Sequence, residues 1–258
     1  MGSLVMGVLN VTPDSFSDGG RFFSVELAVD QGRRLAAAGA GIVDVGGEST
    51  RPGAEPVEPS EELRRVLPVV SALAADGIAV SIDTRHAEVA EAAVAAGATI
   101  VNDVSAGDDL MAVAAAGGAG YVAMHAQGPP ATMQHDPRYD DVVAEVHGCL
   151  AAAAKRARQA GCRRVWVDPG IGFGKTRDHN VALLAALPEL VDAGVPVVVG
   201  ASRKGFLGAL TGGAAPLDRL EASVAVATWA FSCGVAVVRA HDVAETVQAL
   251  HLVALEAA

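Results

Sequence analysis

Eight short apolar runs recur along the chain, each ending in polar or glycine-rich residues and each followed by a helical pattern. They cover residues 4–9, 41–45, 79–82, 99–101, 121–124, 165–167, 195–199 and 235–238. Near-continuous apolar runs of this length fit strands buried on both faces, as in a parallel sheet. Between them lie helical stretches at about 24–38, 86–96, 109–116, 140–160, 178–193, 217–233 and 242–256. Another begins at Ser60, read as the cap ahead of Glu61 and Glu62. Leu63, Val66, Leu67, Val70 and Leu73 then follow at helical spacing up to Gly77. This alternation predicts an α/β chain folded as a (β/α)₈ TIM barrel, a single domain over residues 1–258, with a doubly wound open sheet as the alternative. The two longest irregular stretches, 12–23 and 46–59, follow the first two strands and are read as binding loops.

Composition narrows the partners. A net charge of −11 argues against nucleic acid, although a local Arg/His cluster could still hold a small anion. No apolar run reaches the ~18 residues that a membrane-spanning helix needs. Cys149, Cys162 and Cys233 lack CxxC spacing and are read as free thiols, which places the chain in a reducing, cytoplasmic setting. No signal peptide is expected, and Met6 stands where a myristoylation signal needs Ser or Thr.

The carboxyl ends of the eight runs collect the polar groups. They supply Asn10, Asp14 and Asp18; Glu48, Thr50, Arg51 and Pro52; Asp83; Asn102; Met124 and His125; Asp168 and Phe173; Ser202, Arg203 and Lys204; and Arg239, His241 and Asp242. Catalytic groups in such barrels sit at this end. Asp103, Ser105 and Asp242 are read as helix caps, and Met124 as core or pocket wall. His86, His147, His179 and His251 are read as surface residues on helices, and His135 as part of a surface loop. Several familiar motifs fail. Gly174-Lys175-Thr176 would end a phosphate loop, but Pro169 stands where its first Gly is required. No GxGxxG follows a strand, and Ser202 lacks the closing Gly of a nucleophile elbow. His241 has no histidine partners at zinc spacing.

Two subsites emerge from what remains. Asp83, Asn102, Asp168 and Lys204 offer acceptors and donors for a flat nitrogen heterocycle, because a carboxylate can accept two parallel N–H bonds from an amidine-like edge. Arg51, Arg239 and His241 suit a phosphate or diphosphate, and the Asn10 oxygen suits one position on Mg²⁺.

The stretches 10–20, 44–53, 81–84, 102–105, 128–134, 168–173, 202–204 and 239–242 together resemble the signatures of the dihydropteroate synthase family, over residues 6 to about 250. The resemblance implies a (β/α)₈ barrel that joins 6-hydroxymethyl-7,8-dihydropterin diphosphate to p-aminobenzoate, the substrate that sulfonamides mimic. It implies that Asp83, Asn102, Asp168 and Lys204 hold the pterin, and that Arg51, Arg239 and His241 hold the diphosphate, with Asn10 on Mg²⁺. Thr50, Pro52, Phe173 and Ser202 would line the aminobenzoate site, with Met124 in the pocket wall. Asp18, Arg51 and Lys204 would be catalytic, Asp18 coming in on the first loop. A homodimer is a further expectation of the resemblance. The rivals are a pterin-dependent methyltransferase working with a corrinoid partner and a silent pterin-binding paralogue. Only five residues precede Met6, so the N-terminal hairpin common in the family is expected to be missing or short.

Overall fold

The computed structural model describes residues 4–12, 24–48, 56–128 and 132–256. Its strands are β1 (Leu4–Asn10), β2 (Ile42–Gly46), β3 (Val80–Asp83), β4 (Ile100–Asp103), β5 (Gly120–Met124), β6 (Val165–Asp168), β7 (Val198–Val199) and β8 (Val237–Ala240). Neighbours in the order β6-β5-β4-β3-β2-β1-β8-β7 pair in parallel. A single parallel bridge, Val167 to Val197, joins β6 to β7 and closes the barrel. The helices are α1 (Val25–Ala37), α2 (Pro59–Ala75), α3 (Ala87–Ala95), α4 (Asp108–Ala116) and α5 (Val142–Gln159). They continue with α6 (Arg177–Ala185), α7 (Leu187–Asp192), α8 (Gly205–Leu210), α9 (Leu220–Ser232) and α10 (Val243–Glu256). The fold is the expected (β/α)₈ barrel.

Five boundaries differ from the sequence expectation for local reasons. Glu58, not Ser60, caps α2, because Pro59 takes the first helical position, where a missing N–H costs nothing. The stretch 178–193 divides into α6 and α7 at Ala186, since Pro188 cannot donate back into a continuous helix. α6 begins earlier than expected, at a capping box in which Thr176 and His179 exchange hydrogen bonds. Pro196 likewise shortens β7 by removing a ladder donor, although its carbonyl still accepts from Val167 N at 3.0 Å. β8 starts two residues late because Val235 N still closes α9, donating to Ala230 O.

The main core lies between the strands and the helices, where Val66, Val70 and Leu73 of α2 pack with Val43, Val45 and Ile82. A second, smaller cluster fills the barrel interior: Met6, Ile42, Ile100, Val122, Val198 and Val237, with Trp166 against it. Side chains alternate along a strand, so residues two positions further on share the inward face. Those residues are Asp44 after Ile42, Asn102 after Ile100, Met124 after Val122, Asp168 after Trp166 and Arg239 after Val237. The apolar floor thus gives way in one step to a layer of mostly polar side chains at the carboxyl end, with Met124 among them.

Candidate active site

Arg239 lies across this layer. Its Nε donates to Asp44 Oδ2 at 2.6 Å and its Nη2 to Asp83 Oδ2 at 2.7 Å. Asn102 Nδ2 donates to the same Asp44 oxygen at 3.1 Å. Four polar side chains from β2, β3, β4 and β8 therefore form one network in the barrel interior. Burial opposes the charge on Arg239, but the two carboxylates hold its pKa above the ordinary value. Burial pushes the Asp83 carboxyl well up; Arg239 opposes this and Asp44 adds to it. Asp44 Oδ1, Asp83 Oδ1 and Ser81 Oγ are buried without a hydrogen-bond partner. Such groups are costly to leave unpaired, and they give this layer acceptor capacity for a ligand or for ordered water.

The opposite wall comes from β6 and the segment after β7. Asp168 Oδ1 accepts from Gly170 N at 2.7 Å, and burial raises its pKa against the pull of Lys204. Lys204 Nζ donates to the carbonyl of Ile171 and stands 4.4 Å from the centroid of the Phe173 ring. Burial brings the Lys204 ammonium down to about 8. Ser202 Oγ accepts from His241 N at 3.2 Å and lies 3.1 Å from His241 Nδ1, so these two tips meet. Met124 is buried at the end of β5. The Asn10 side chain is partly exposed and makes no hydrogen bond among the described residues.

The structure gathers Asp83, Asn102, Asp168, Lys204 and Arg239 into one inward-facing group, linked by contact or by electrostatic influence. Asp18, Thr50, Arg51 and Pro52 lie outside the described residues. Asp44 escaped the sequence analysis as a site residue, because it stands inside a strand and not at its tip. An acid within Ile42-Val43-Asp44-Val45 was the available signal. Asp103 is no helix cap: its carboxylate accepts from Ser105, Gly107 N and Tyr121 Oη and so shapes the loop after β4. Asp242 receives Arg203 as an ion pair.

His86 also departs from expectation. It is half-buried ahead of α3, with Nδ1 2.7 Å from Oε2 of the fully buried Glu62. With Glu48 these residues form the one group among those described whose spacing would admit a metal ion. Glu48 is already paired with Arg85 and His86 with Glu62, and a mixed nitrogen–oxygen set does not suit Mg²⁺. The group instead braces the segment that leaves β2.

Residues 6–241 match the pterin-binding enzyme family. The dihydropteroate synthase of Mycobacterium leprae (strain TN) is 51% identical over 96% of this chain and 92% of its own length. The chain belongs to the dihydropteroate synthases. The solved dihydropteroate synthase of Xanthomonas albilineans with 4-aminobenzoic acid superposes with a TM-score of 0.93 at 48% identity, covering 100% of this chain and 94% of that one. The same enzyme in complex with 7,8-dihydropteroate gives 0.89 at 45% identity, with the same coverage. Dihydropteroate synthases are transferases, and the barrel found here is theirs.

Proposed function

We propose that this enzyme condenses 6-hydroxymethyl-7,8-dihydropterin diphosphate with p-aminobenzoate, giving 7,8-dihydropteroate and diphosphate for folate biosynthesis, by a dissociative displacement. The observation that carries the reading is the buried group of Asp83, Asn102, Asp168 and Lys204 adjoining Arg239 in one barrel mouth. Asp168 would accept the amidine-like edge of the pterin, and Lys204 would donate to its ring. Asp83 and Asn102 would hold the opposite edge, with Met124 against the ring face. Arg239 keeps Asp83 in place, and its Nη1 donors, free of bonds to described residues, remain for an anion.

The C–O bond to diphosphate breaks first. The resulting methylene cation is stabilised by the electron-rich dihydropterin ring. The neutral arylamine then forms the C–N bond and loses its proton. Arg51 and His241 would stabilise charge on the departing diphosphate. Asp18 would stabilise the cation, and the loops after β1 and β2 would exclude the water that competes for it. Thr50, Pro52, Phe173 and Ser202 would line the aminobenzoate subsite. Asn10 suits a hard cation, because its amide oxygen is uncommitted at the barrel mouth and Mg²⁺ needs few protein ligands beside substrate phosphates. Bound there, Mg²⁺ would neutralise part of the diphosphate charge.

A single domain, a cytoplasmic setting and a homodimer belong to the same proposal. Exposed Trp229 and Leu252, on the packed helices α9 and α10, supply apolar surface for a second copy. No helix among the described residues is long and apolar enough to cross a membrane.

Diphosphate release, assayed with and without p-aminobenzoate, tests the reaction. Release matched one for one by dihydropteroate is expected, and none under any condition would refute it. Asp18→Ala and Arg51→Ala should each lose most turnover while the free pterin still binds; equal loss of pterin binding in both would contradict the division of subsites. Lys204→Ala should weaken pterin binding by about tenfold or more in calorimetry, the loss of a charged buried hydrogen bond.

A further inference from the structure

Lys175 has no part in the reaction proposed above, yet it is only 3% exposed. Its Nζ lies 3.0 Å from Phe173 O, 3.3 Å from His125 O and 3.0 Å from His125 Nδ1. An ammonium has three donors, so each finds an acceptor. A neutral amine would be satisfied equally well, taking a hydrogen bond from the Nδ1–H tautomer of His125 and donating to both carbonyls. Burial brings Lys175 down to about 7, and burial together with Lys175 brings His125 down to about 4. The knot therefore stays closed whichever group carries the proton.

Around this side chain the segments after β5 and β6 are pressed together. A Cβ at Gly170, whose φ is 63°, would stand 1.8 Å from His125 O, and one at Gly174 would stand 2.4 Å from Gln127 O. Tyr139 Oη donates to Gly174 O at 2.8 Å, and Gln134 Nε2 to Gly172 O at 2.5 Å. Phe173 lies within the clasped segment, its carbonyl held by Lys175 and its ring beneath the Lys204 ammonium.

We infer that Lys175 is a positioning residue for the arylamine acceptor: by tying the backbone of Phe173 to that of His125, it fixes the ring face presented to p-aminobenzoate. The inference rests on the reading of Phe173 as a wall of the aminobenzoate subsite. Its weight falls on acceptor binding, because Lys175 hydrogen-bonds none of Asp83, Asn102, Asp168 or Lys204.

Lys175→Met keeps most of the length of the side chain and removes its donors. KM for p-aminobenzoate should rise by about tenfold or more, while kcat and the pterin Kd stay within about threefold. Lys175→Arg, which keeps donors, should recover part of that rise. Phe173→Ala tests the underlying reading, and an unchanged KM for p-aminobenzoate there would refute the subsite itself. A raised KM in Phe173→Ala beside a normal one in Lys175→Met would overturn only the role of Lys175. Equal weakening of both substrates in Lys175→Met would overturn it too. Should that variant fail to fold by circular dichroism, Lys175→Leu, which also lacks donors, takes its place under the same two criteria.

Discussion

An Asp168→Asn enzyme is expected to lose about 10³-fold in kcat/KM for the pterin substrate, roughly 4 kcal/mol of transition-state binding. The change is nearly isosteric, and the bond from Gly170 N to Oδ1 can survive it, so the loop after β6 should keep its shape. The ligand is what meets the difference. An amide presents N–H groups where the pterin edge also presents N–H groups, at a side chain that is only 6% exposed. Sites built to hydrogen-bond a ligand lose far more from such a mismatch than apolar pockets lose from a missing methylene. Steady-state kinetics and calorimetry with free pterin check this, and a loss under tenfold in both would remove Asp168 from the recognition role. The melting temperature should hardly move.

Arg239→Met should act mainly on the fold. It leaves Asp44, which is fully buried, and Asp83 facing each other without the guanidinium that bridges them. Removing one partner of a buried ion pair costs about 3–5 kcal/mol, or about 10 °C in melting temperature for a chain of this size. The dependence on pH has a definite sign. The Asp83 pKa is already raised in the folded enzyme, and without Arg239 it rises further. An acid whose folded pKa exceeds its unfolded value destabilises the fold as pH climbs above the unfolded value. The deficit should thus be smallest near pH 5 and largest at pH 8, as thermal melts at the two pH values would show. A uniform deficit would mean that packing, not charge, dominates.

Much of this was legible in the sequence because a buried strand has little freedom in composition. In a parallel barrel both faces of a strand are covered, so an Asp, Asn or Arg at the end of a Val/Ile run is conspicuous. Asp83, Asn102, Asp168 and Arg239 were found that way, and the structure brings them together. Asp44 was overlooked because attention to strand tips ignores the period of two that aligns it with Asn102 and Arg239. Lys175 was noticed only as the tail of an incomplete phosphate loop. Its three acceptors come from two segments some fifty positions apart, so no local pattern could reveal them. His86 was assigned to the surface because its partner, Glu62, sits a whole strand and helix away. The shortening of β7 was readable from Pro196, but its reach into barrel closure was not.

That closure sets up a dependence between substrate and scaffold. β6 and β7 share one bridge, whereas β1 and β2 are matched at five positions. Asp168 and Lys204 stand on opposite banks of this weak join. A heterocycle gripped by both would span the gap with its own polar edges, serving as the rungs that the two strands lack. Occupancy would then tighten the wall as well as fill the cavity, and the empty enzyme would breathe first along that line.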